Sequence, residues 1–361
     1  MINITRRSML GGLSTIAFGG LTSAARAEQF RFTVSAGHPP VFLWVQELQK
    51  FFIPEVDKRL AAAGGKVSIQ WNEAYGGTVA KIGGELDALR DGLSDLGIVG
   101  TIFHAGDVPL QNVCYFTPFG MSDIKGVVKI IADLQNRIPA MGKVWPNNEQ
   151  VYLGGAGLDT YQLFTNFPVQ SVDDLKGRKI MAPGPSANWI NGTGAVAVAS
   201  SLPEYYNNIK TGVADGVLTF ATGAWPIKLW EVAPHVTKVN FGAMYAIALN
   251  ANQQSFAKLP KEAQAIFRQV GVEYSDRVNS EQENRARTYL DRMEKEFGAK
   301  VVEFPSEERV RWAKTIVNPA AAWVKTVEAK GLPAREVLNG YMRDQEALGY
   351  SWPRDYAAEL K

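Results

Sequence analysis

The residues able to do chemistry are few and scattered. His38, His104 and His235 are the only three histidines of the chain, and they lie far apart in sequence. Neither H-E-x-x-H nor C-x-x-C occurs, so no local pattern of metal ligands is present. No G-x-S-x-G presents a nucleophile, and no G-x-x-x-x-G-K-[ST] cradles a phosphate. "GGAGLDTY" (Gly154 to Tyr161) holds three glycines but lacks the third glycine and the downstream context of a dinucleotide fingerprint. The "GPS" of Gly184 to Ser186 reads as a helix start, and the sequon Asn191-Gly192-Thr193 has no role behind the bacterial export signal that Arg6-Arg7 and the small-residue site Ala25-Arg26-Ala27 suggest. Cys114, the single cysteine, stands in the apolar run "NVCYFTPF"; it cannot form an internal disulfide and reads as a small buried hydrophobe. The expectation is a binding protein, not an enzyme, with no cofactor and no metal. His38 and His104 each follow a segment that reads as a strand, so both can face a cleft or serve as hydrogen-bonded loop histidines.

The elements that position these residues alternate between strand and helix. "FRFTVSAG" (Phe30 to Gly37) alternates and runs into Gly-His-Pro-Pro. A helical pattern follows from about Phe42 to Ala63, then a strand at Lys66 to Ala74. A helix at Lys81 to Asp95 stops at Gly92, and a short apolar strand covers Leu96 to Ile102. This order argues for an α/β fold with a mainly parallel sheet and helices on both sides. The pattern restarts after "QVYLGGAG": a strand at "YQLFTN", a capped turn at Ser171 to Asp174, a strand at "GRKIMA", a helix from Ser186 to Ser200, a helix in "PEYYNNIKTGVAD", and a strand at "GVLTF". "YAIALNANQQSFAKLPKEAQAIF" returns to strand and helix. The stretch from Pro260 to Gly298 is helical almost throughout. More helices follow, with Trp312, Trp323 and Tyr341 as packing anchors. Two α/β units, 28–155 (with about 240–270 returning to it) and 156–239, leave a cleft between them. The helix at about 262–298 and part of 299–330 pack across both, and 331–361 forms a helical extension. Ligands of open α/β sheets gather at the carboxyl ends of strands. The loops that matter are therefore Gly37 to Val41, Gly100 to His104, Gly157 to Tyr161, Met181 to Asn188 and Thr219 to Trp225.

Composition sets the remaining bounds. The 361 residues are 46% hydrophobic and 20% charged with a net charge of +2, which gives no case for nucleic-acid binding. Residues 1–27 read as an export signal: Arg6-Arg7, a weakly apolar Gly-rich stretch, then Ala25-Arg26-Ala27 as the cleavage site. The arginine pair suggests the twin-arginine route, although Met9 stands where Phe is usual, and an ordinary Sec signal is the alternative. No other apolar run approaches the roughly 20 residues of a membrane helix. The mature chain is expected to be periplasmic and not inserted in the membrane.

Three stretches carry a family resemblance. "SVDDLKGRKIMAPG" resembles the S-x-x-D-L-K-G-x-K-[IV]-R-x-P-G segment of the solute-binding proteins of TRAP transporters, the DctP-type family. "PEYYNNIKTGVADG" is similar to that family's helix ending in Q-T-G-x-x-D-G, and "GLSDLGIVGTIFHAGDVPLQNV" to its G-x-x-D-[ML] segment. The resemblance covers roughly Phe30 to Leu332. It implies a two-domain periplasmic flytrap, each domain a mixed, mainly parallel sheet flanked by helices, that closes on a small organic acid and hands it to a membrane permease.

The resemblance also sharpens the site. The family's carboxylate-clamping arginine falls at Met181, a second arginine of some members at Tyr161, and an asparagine near Thr219. None of these replacements makes a bidentate charge-assisted clamp. Lys179 is about 7 Å back along the strand and does not substitute. Tyr161, Trp189, Tyr205, Tyr206, Phe220 and Trp225 supply aromatic surface near the cleft. Lys81, His38, His104, Thr101, Thr219, Asn188 and backbone N–H groups are the candidate donors. The expected ligand is a mono-anion or zwitterion with an apolar or aromatic body, with Met181 as an apolar wall. Three other readings stand beside it: a C4-dicarboxylate or keto-acid binder with a relocated cation, a ligand receptor for a membrane sensor, and an exported enzyme folded around a cofactor.

Overall fold

A computed structural model describes residues 28–360; the export signal expected over 1–27 lies outside the described residues. Eleven strands among them form two sheets. In the first, β1 (Glu28–Ser35) lies parallel to β2 (Val67–Ala74) and β3 (Leu96–Gly100). β10 (Met244–Asn252) runs antiparallel between β3 and β4 (Gln150–Leu158), giving the order β2-β1-β3-β10-β4. The second sheet has the order β11-β9-β5-β8-β6-β7, from β5 (Gln162–Thr165), β6 (Lys179–Met181), β7 (Val196–Val198), β8 (Gly216–Thr219), β9 (His235–Lys238) and β11 (Lys300–Glu303). Here β5 is antiparallel to β8 and β9, and the other pairs are parallel.

Several helices follow the sequence closely. The chain winds continuously from Leu43 to Ala62, but over Leu48–Phe52 it widens to a π-turn, with the Ile53 N–H reaching back to the Leu48 carbonyl. Pro54 follows at once; its missing N–H and its ring cannot join a regular ladder, and a π-bulge relieves both. Ser171 and Asp174 form a reciprocal capping box. The helix Lys261–Phe297 ends where Gly298 adopts a φ of +72°, the left-handed stop that favours glycine.

Other expectations need correction. Ser186 to Ser200 is not a helix. After a 3₁₀ stretch at Gly184–Trp189 the chain turns through Gly192 (φ +106°) and Gly194 (φ +83°), then pairs as β7 alongside β6. Two left-handed glycines and the β-branched Val196 and Val198 defeat a helix there. The helix expected over Lys81 to Asp95 shrinks to Glu85–Arg90, because Gly83 turns at φ +86°. The short strands β9 and β11 were not legible in the sequence.

The two sheets are joined by two neighbouring crossings and one long helix. The first crossing is Asp159 to Tyr161, not Gly155, which sits inside β4. The second runs from Val239 to Ala243. They hydrogen-bond to one another: Phe241 N–H to the Tyr161 carbonyl (3.0 Å), Tyr161 N–H to the Gly242 carbonyl (3.2 Å), and Gly242 N–H to Thr160 Oγ1 (3.0 Å). The helix Lys261–Phe297 spans both halves. Its Gly271 lies so close to β4 that a Cβ there would meet the Leu153 carbonyl at 2.5 Å, while Ser275 and Asn279 accept the Gly155 and Gly157 N–H groups, each at 2.9 Å. Toward its far end, Tyr289 stacks on Trp225 (4.5 Å, 11°) beside β8 and β9. Trp312, Trp323 and Tyr341 are buried. Trp323 Nε1–H donates to the Pro109 carbonyl (3.2 Å), and Gln345 accepts from the Met121 N–H (2.9 Å), so the C-terminal helices rest on the first half.

Candidate functional site

The carboxyl ends of β1, β3 and β4 from the first sheet and of β6 and β8 from the second meet at one small cavity. From the first half come His38 beyond β1, Trp44 on the following helix, Ile102 and Phe103 beyond β3, and Leu158 at the end of β4. Ala246 and Ile247 join them because β10 is antiparallel: Ile247 pairs with Gly100, so the start of β10 lies at the exits of its neighbours. From the second half come Tyr161 at the crossing, Pro183 beyond β6, Phe220 beyond β8, and Leu202 and Tyr205. The cavity measures about 30 Å³, room for one or two waters.

Its walls are aromatic and aliphatic. The rings of Phe220 and Tyr161 lie 5.1 Å apart, and Phe220 reaches across to Trp44 at 6.3 Å. No lysine or arginine lines it among the described residues. Its one basic side chain is His38, set edge-on against the stacked pair of Phe42 (5.5 Å) and Trp44 (5.3 Å). Burial alone lowers the His38 pKa to about 4, so the ring is neutral at pH 7. His38 Nε2 and Trp44 Nε1 are both buried without a hydrogen-bond partner among the described residues. The Tyr161 phenol, raised in pKa by burial, lies 3.4 Å from the Tyr115 hydroxyl. Behind Tyr161, the fully buried Asp159 carboxylate accepts the Ala221 N–H (2.8 Å) and the Thr222 hydroxyl (2.5 Å). It ties the first crossing to the segment leaving β8. Desolvation there pushes its pKa up to about 7, against the lowering effect of those bonds.

Of the side chains expected at or near the site, His38, Tyr161, Tyr205 and Phe220 line this cavity. Thr219, one residue before Phe220, is buried with Oγ1 unpartnered. The others stand elsewhere. Met181 is fully buried in the second sheet, with its sulfur 3.7 Å from Asn208 Nδ2, and forms no part of the wall. Trp189 is core: its Nε1–H donates to the Tyr115 carbonyl (2.7 Å), its own carbonyl accepts from Trp312 (2.7 Å), and its ring stacks on Phe241. Asn188 closes its own turn onto the Pro185 carbonyl (2.9 Å). Tyr206 points away to Glu231 (2.9 Å). Trp225 lies against the long helix, with the Arg292 guanidinium 4.6 Å from its ring centroid. His104 is buried against Glu85 (3.2 Å), and Thr101 reaches the Tyr245 carbonyl (3.5 Å). Lys81 is exposed and outside the cavity lining.

The residues that sequence reasoning missed are Trp44 and Phe103; of the expected pair Tyr205 and Tyr206, it is Tyr205 that faces the cavity. A capping box from Ser201 to Glu204 sets the helical phase there, and Leu202, Tyr205 and Ile209 then share its buried face. That spacing was a usable signal. For Trp44 there was none, since a tryptophan on a buried helix face reads as core.

Comparison with known proteins agrees with this geometry. The pattern describing bacterial extracellular solute-binding protein, family 7, matches residues 38–325. A solute-binding protein of Albidiferax ferrireducens is 23% identical over 277 residues, 73% of this chain and 77% of the relative. Among solved structures, a TRAP solute-binding protein of Rhodoferax ferrireducens in complex with copurified benzoate superposes with a TM-score of 0.74 at 18% identity, covering 88% of this chain and 98% of that one. A Bordetella pertussis extracytoplasmic solute receptor binding pyroglutamic acid gives 0.73 at 20% identity, covering 86% and 99%. The chain thus belongs to the bacterial extracellular solute-binding proteins of family 7, the receptors of TRAP transporters, which capture solutes rather than transform them.

Proposed function

We propose that this chain is a periplasmic receptor for a small organic acid with one acidic group and a flat, apolar or aromatic body, which it delivers to a TRAP permease. The observation that carries the reading is the wall itself: Trp44, Phe103, Tyr161, Tyr205 and Phe220 converge from both halves, and no lysine or arginine stands among the cavity residues. Flat rings stack favourably on such a surface. A second carboxylate buried there would lose its water without a cation to replace it, at several kcal/mol. The dicarboxylate reading with a relocated cation is weakened because its strongest candidate, Lys81, is exposed. Relatives in which benzoate or pyroglutamic acid is bound fit a ligand of this size.

In this reading the two sheets belong to two lobes, and the paired crossings are the hinge. The present cavity of about 30 Å³ is too small for a benzene-sized ring, which fills an apolar cavity of about 150 Å³. The lobes must therefore part for entry and settle around the guest. Thermal-shift screening against benzoate, pyroglutamate, glucuronate, succinate and malate tests the proposal. A ligand at 100 times its dissociation constant stabilises by about 2.7 kcal/mol. Stabilisation by a monocarboxylate and none by succinate or malate supports the reading, and the reverse refutes it.

A further inference from the structure

A receptor for an acid needs somewhere to put the acidic end, and the second half lines the cavity with hydroxyls but no cation. Met181 stands at the position the family resemblance assigns to an arginine, but it is sealed in the sheet. The first half offers two donors. His38 Nε2 and Trp44 Nε1 belong to rings 5.3 Å apart, both rings line the cavity, and neither atom has a partner among the described residues. A buried nitrogen without a protein partner calls for a water, an ion or a ligand to satisfy it.

Resting on the function proposed above, we propose that His38 and Trp44 form this receptor's carboxylate clamp. The indole N–H and the imidazole Nε2–H each donate to one carboxylate oxygen, and His38 takes up one proton from solvent as the anion enters. The balance is simple: neutral imidazole, one proton and a carboxylate become an imidazolium–carboxylate pair, and no bond of the ligand breaks. The acidic end is thereby held on the first half, opposite the position of the missing arginine.

The surroundings of His38 leave it free for this. Its carbonyl is engaged by the Gly76 N–H (3.1 Å). Glu85, which packs against Gly37, is already held by the Gly83 N–H (2.7 Å) and His104 (3.2 Å). Glu47, on the helix that carries Trp44, is paired with Arg277 (2.8 Å). Across the cavity the facing titratable groups are the phenols of Tyr161 and Tyr205, both shifted upward by burial and so neutral. From the following loop Tyr75 is likewise raised, by burial and by Glu73. Burial lowers the imidazole in the absence of an anion, and a carboxylate at hydrogen-bond distance raises it again.

Titration calorimetry of the mature protein with benzoate and with pyroglutamate, in phosphate and in Tris at pH 7, reads the proton directly. The expected uptake is close to one proton per bound acid, with a dissociation constant that rises about tenfold per pH unit between pH 5 and 7. His38→Gln should weaken binding at least 30-fold and abolish the uptake. Trp44→Phe should weaken it about tenfold and leave the uptake at one. In the unaltered protein, the three histidines can be followed by ¹⁵N NMR, so a variant that fails to fold does not block the test: His38 should be protonated at pH 7 only in the complex. Binding with no proton uptake, uptake that survives His38→Gln, or a His38 ring that stays neutral in the complex overturns the clamp alone. If neither acid binds, the clamp falls together with the proposed function.

Discussion

Gly184 stands on the turn beyond β6, where the half built on the second sheet meets Ile102 of the first. Its φ is +51°, and a Cβ built there would lie 2.7 Å from the Ile102 carbonyl oxygen and 3.1 Å from Ile102 Cγ1. Ile102 belongs to the turn beyond β3, so the collision is between lobes and its harder partner is backbone. Ordinary contact begins at 3.4 Å, so the intruding methyl is about 0.7 Å too close for the lobes to keep their present approach. Gly184→Ala carries a second cost, the left-handed backbone, of about 1–2 kcal/mol whether the lobes are open or closed. Gly177→Ala isolates that cost: its φ is +73°, and a Cβ there meets nothing within 4 Å. Both variants should lose about 1–2 kcal/mol of unfolding free energy. Only Gly184→Ala should also lose ligand affinity, by at least tenfold, or about 1.4 kcal/mol, because closure is incomplete. Calorimetry supplies the affinity, and small-angle scattering supplies the compaction on saturation with the same acid. If the two variants bind alike and compact alike, the lobes do not close through this contact and the hinge account is wrong.

Asp159 gives a pH signature. Its folded pKa, near 7, lies above its value in the unfolded chain, so the native state holds the proton longer. The stability it contributes is fully present below about pH 4 and is lost as pH rises through 7. Urea melts from pH 5 to 8 should show wild type losing on the order of 3 kcal/mol relative to Asp159→Asn and then levelling off; a difference that does not vary with pH contradicts the assignment. Gly271→Ala, which pushes a methyl into the Leu153 carbonyl at 2.5 Å, should destabilise by about 1–3 kcal/mol through the separation of helix and strand, and unchanged denaturant midpoints would refute that packing. Arg6→Lys with Arg7→Lys should hold the precursor in the cytoplasm if export uses the twin-arginine route; normal periplasmic levels on fractionation would indicate Sec.

What was legible in the sequence was local. The capping box at Ser171 and Asp174, the glycine stop at Gly298 and the apolar strand from Leu96 are set by residues within one turn or one strand, and each stands where its pattern put it. β9 and β11 have four residues each, and each pairs with a strand from another part of the chain, β9 with β5 and β11 with β9. No short-range pattern announces such partners. The same distinction governs the site. Loops at the carboxyl ends of strands pointed to His38, Tyr161 and Phe220, because strand direction fixes where those loops emerge. Which side chains turn inward is a matter of packing. Met181 held a telling position in the family pattern yet is enclosed by its own sheet, with Asn208 against its sulfur. Trp189 was claimed by the hinge-side core through two hydrogen bonds and two stacked rings. Trp44, silent in the sequence, reached the cavity from the first turn of the helix beyond His38.

The central claim is that this receptor closes on a single acidic group attached to an apolar body. Titration calorimetry of the mature protein with benzoate and with succinate, at one pH and one ionic strength, tests it most directly. The account predicts saturable benzoate binding with a dissociation constant near 1 μM, about −8 kcal/mol, and no measurable heat from succinate. Micromolar succinate binding with none by benzoate would contradict it.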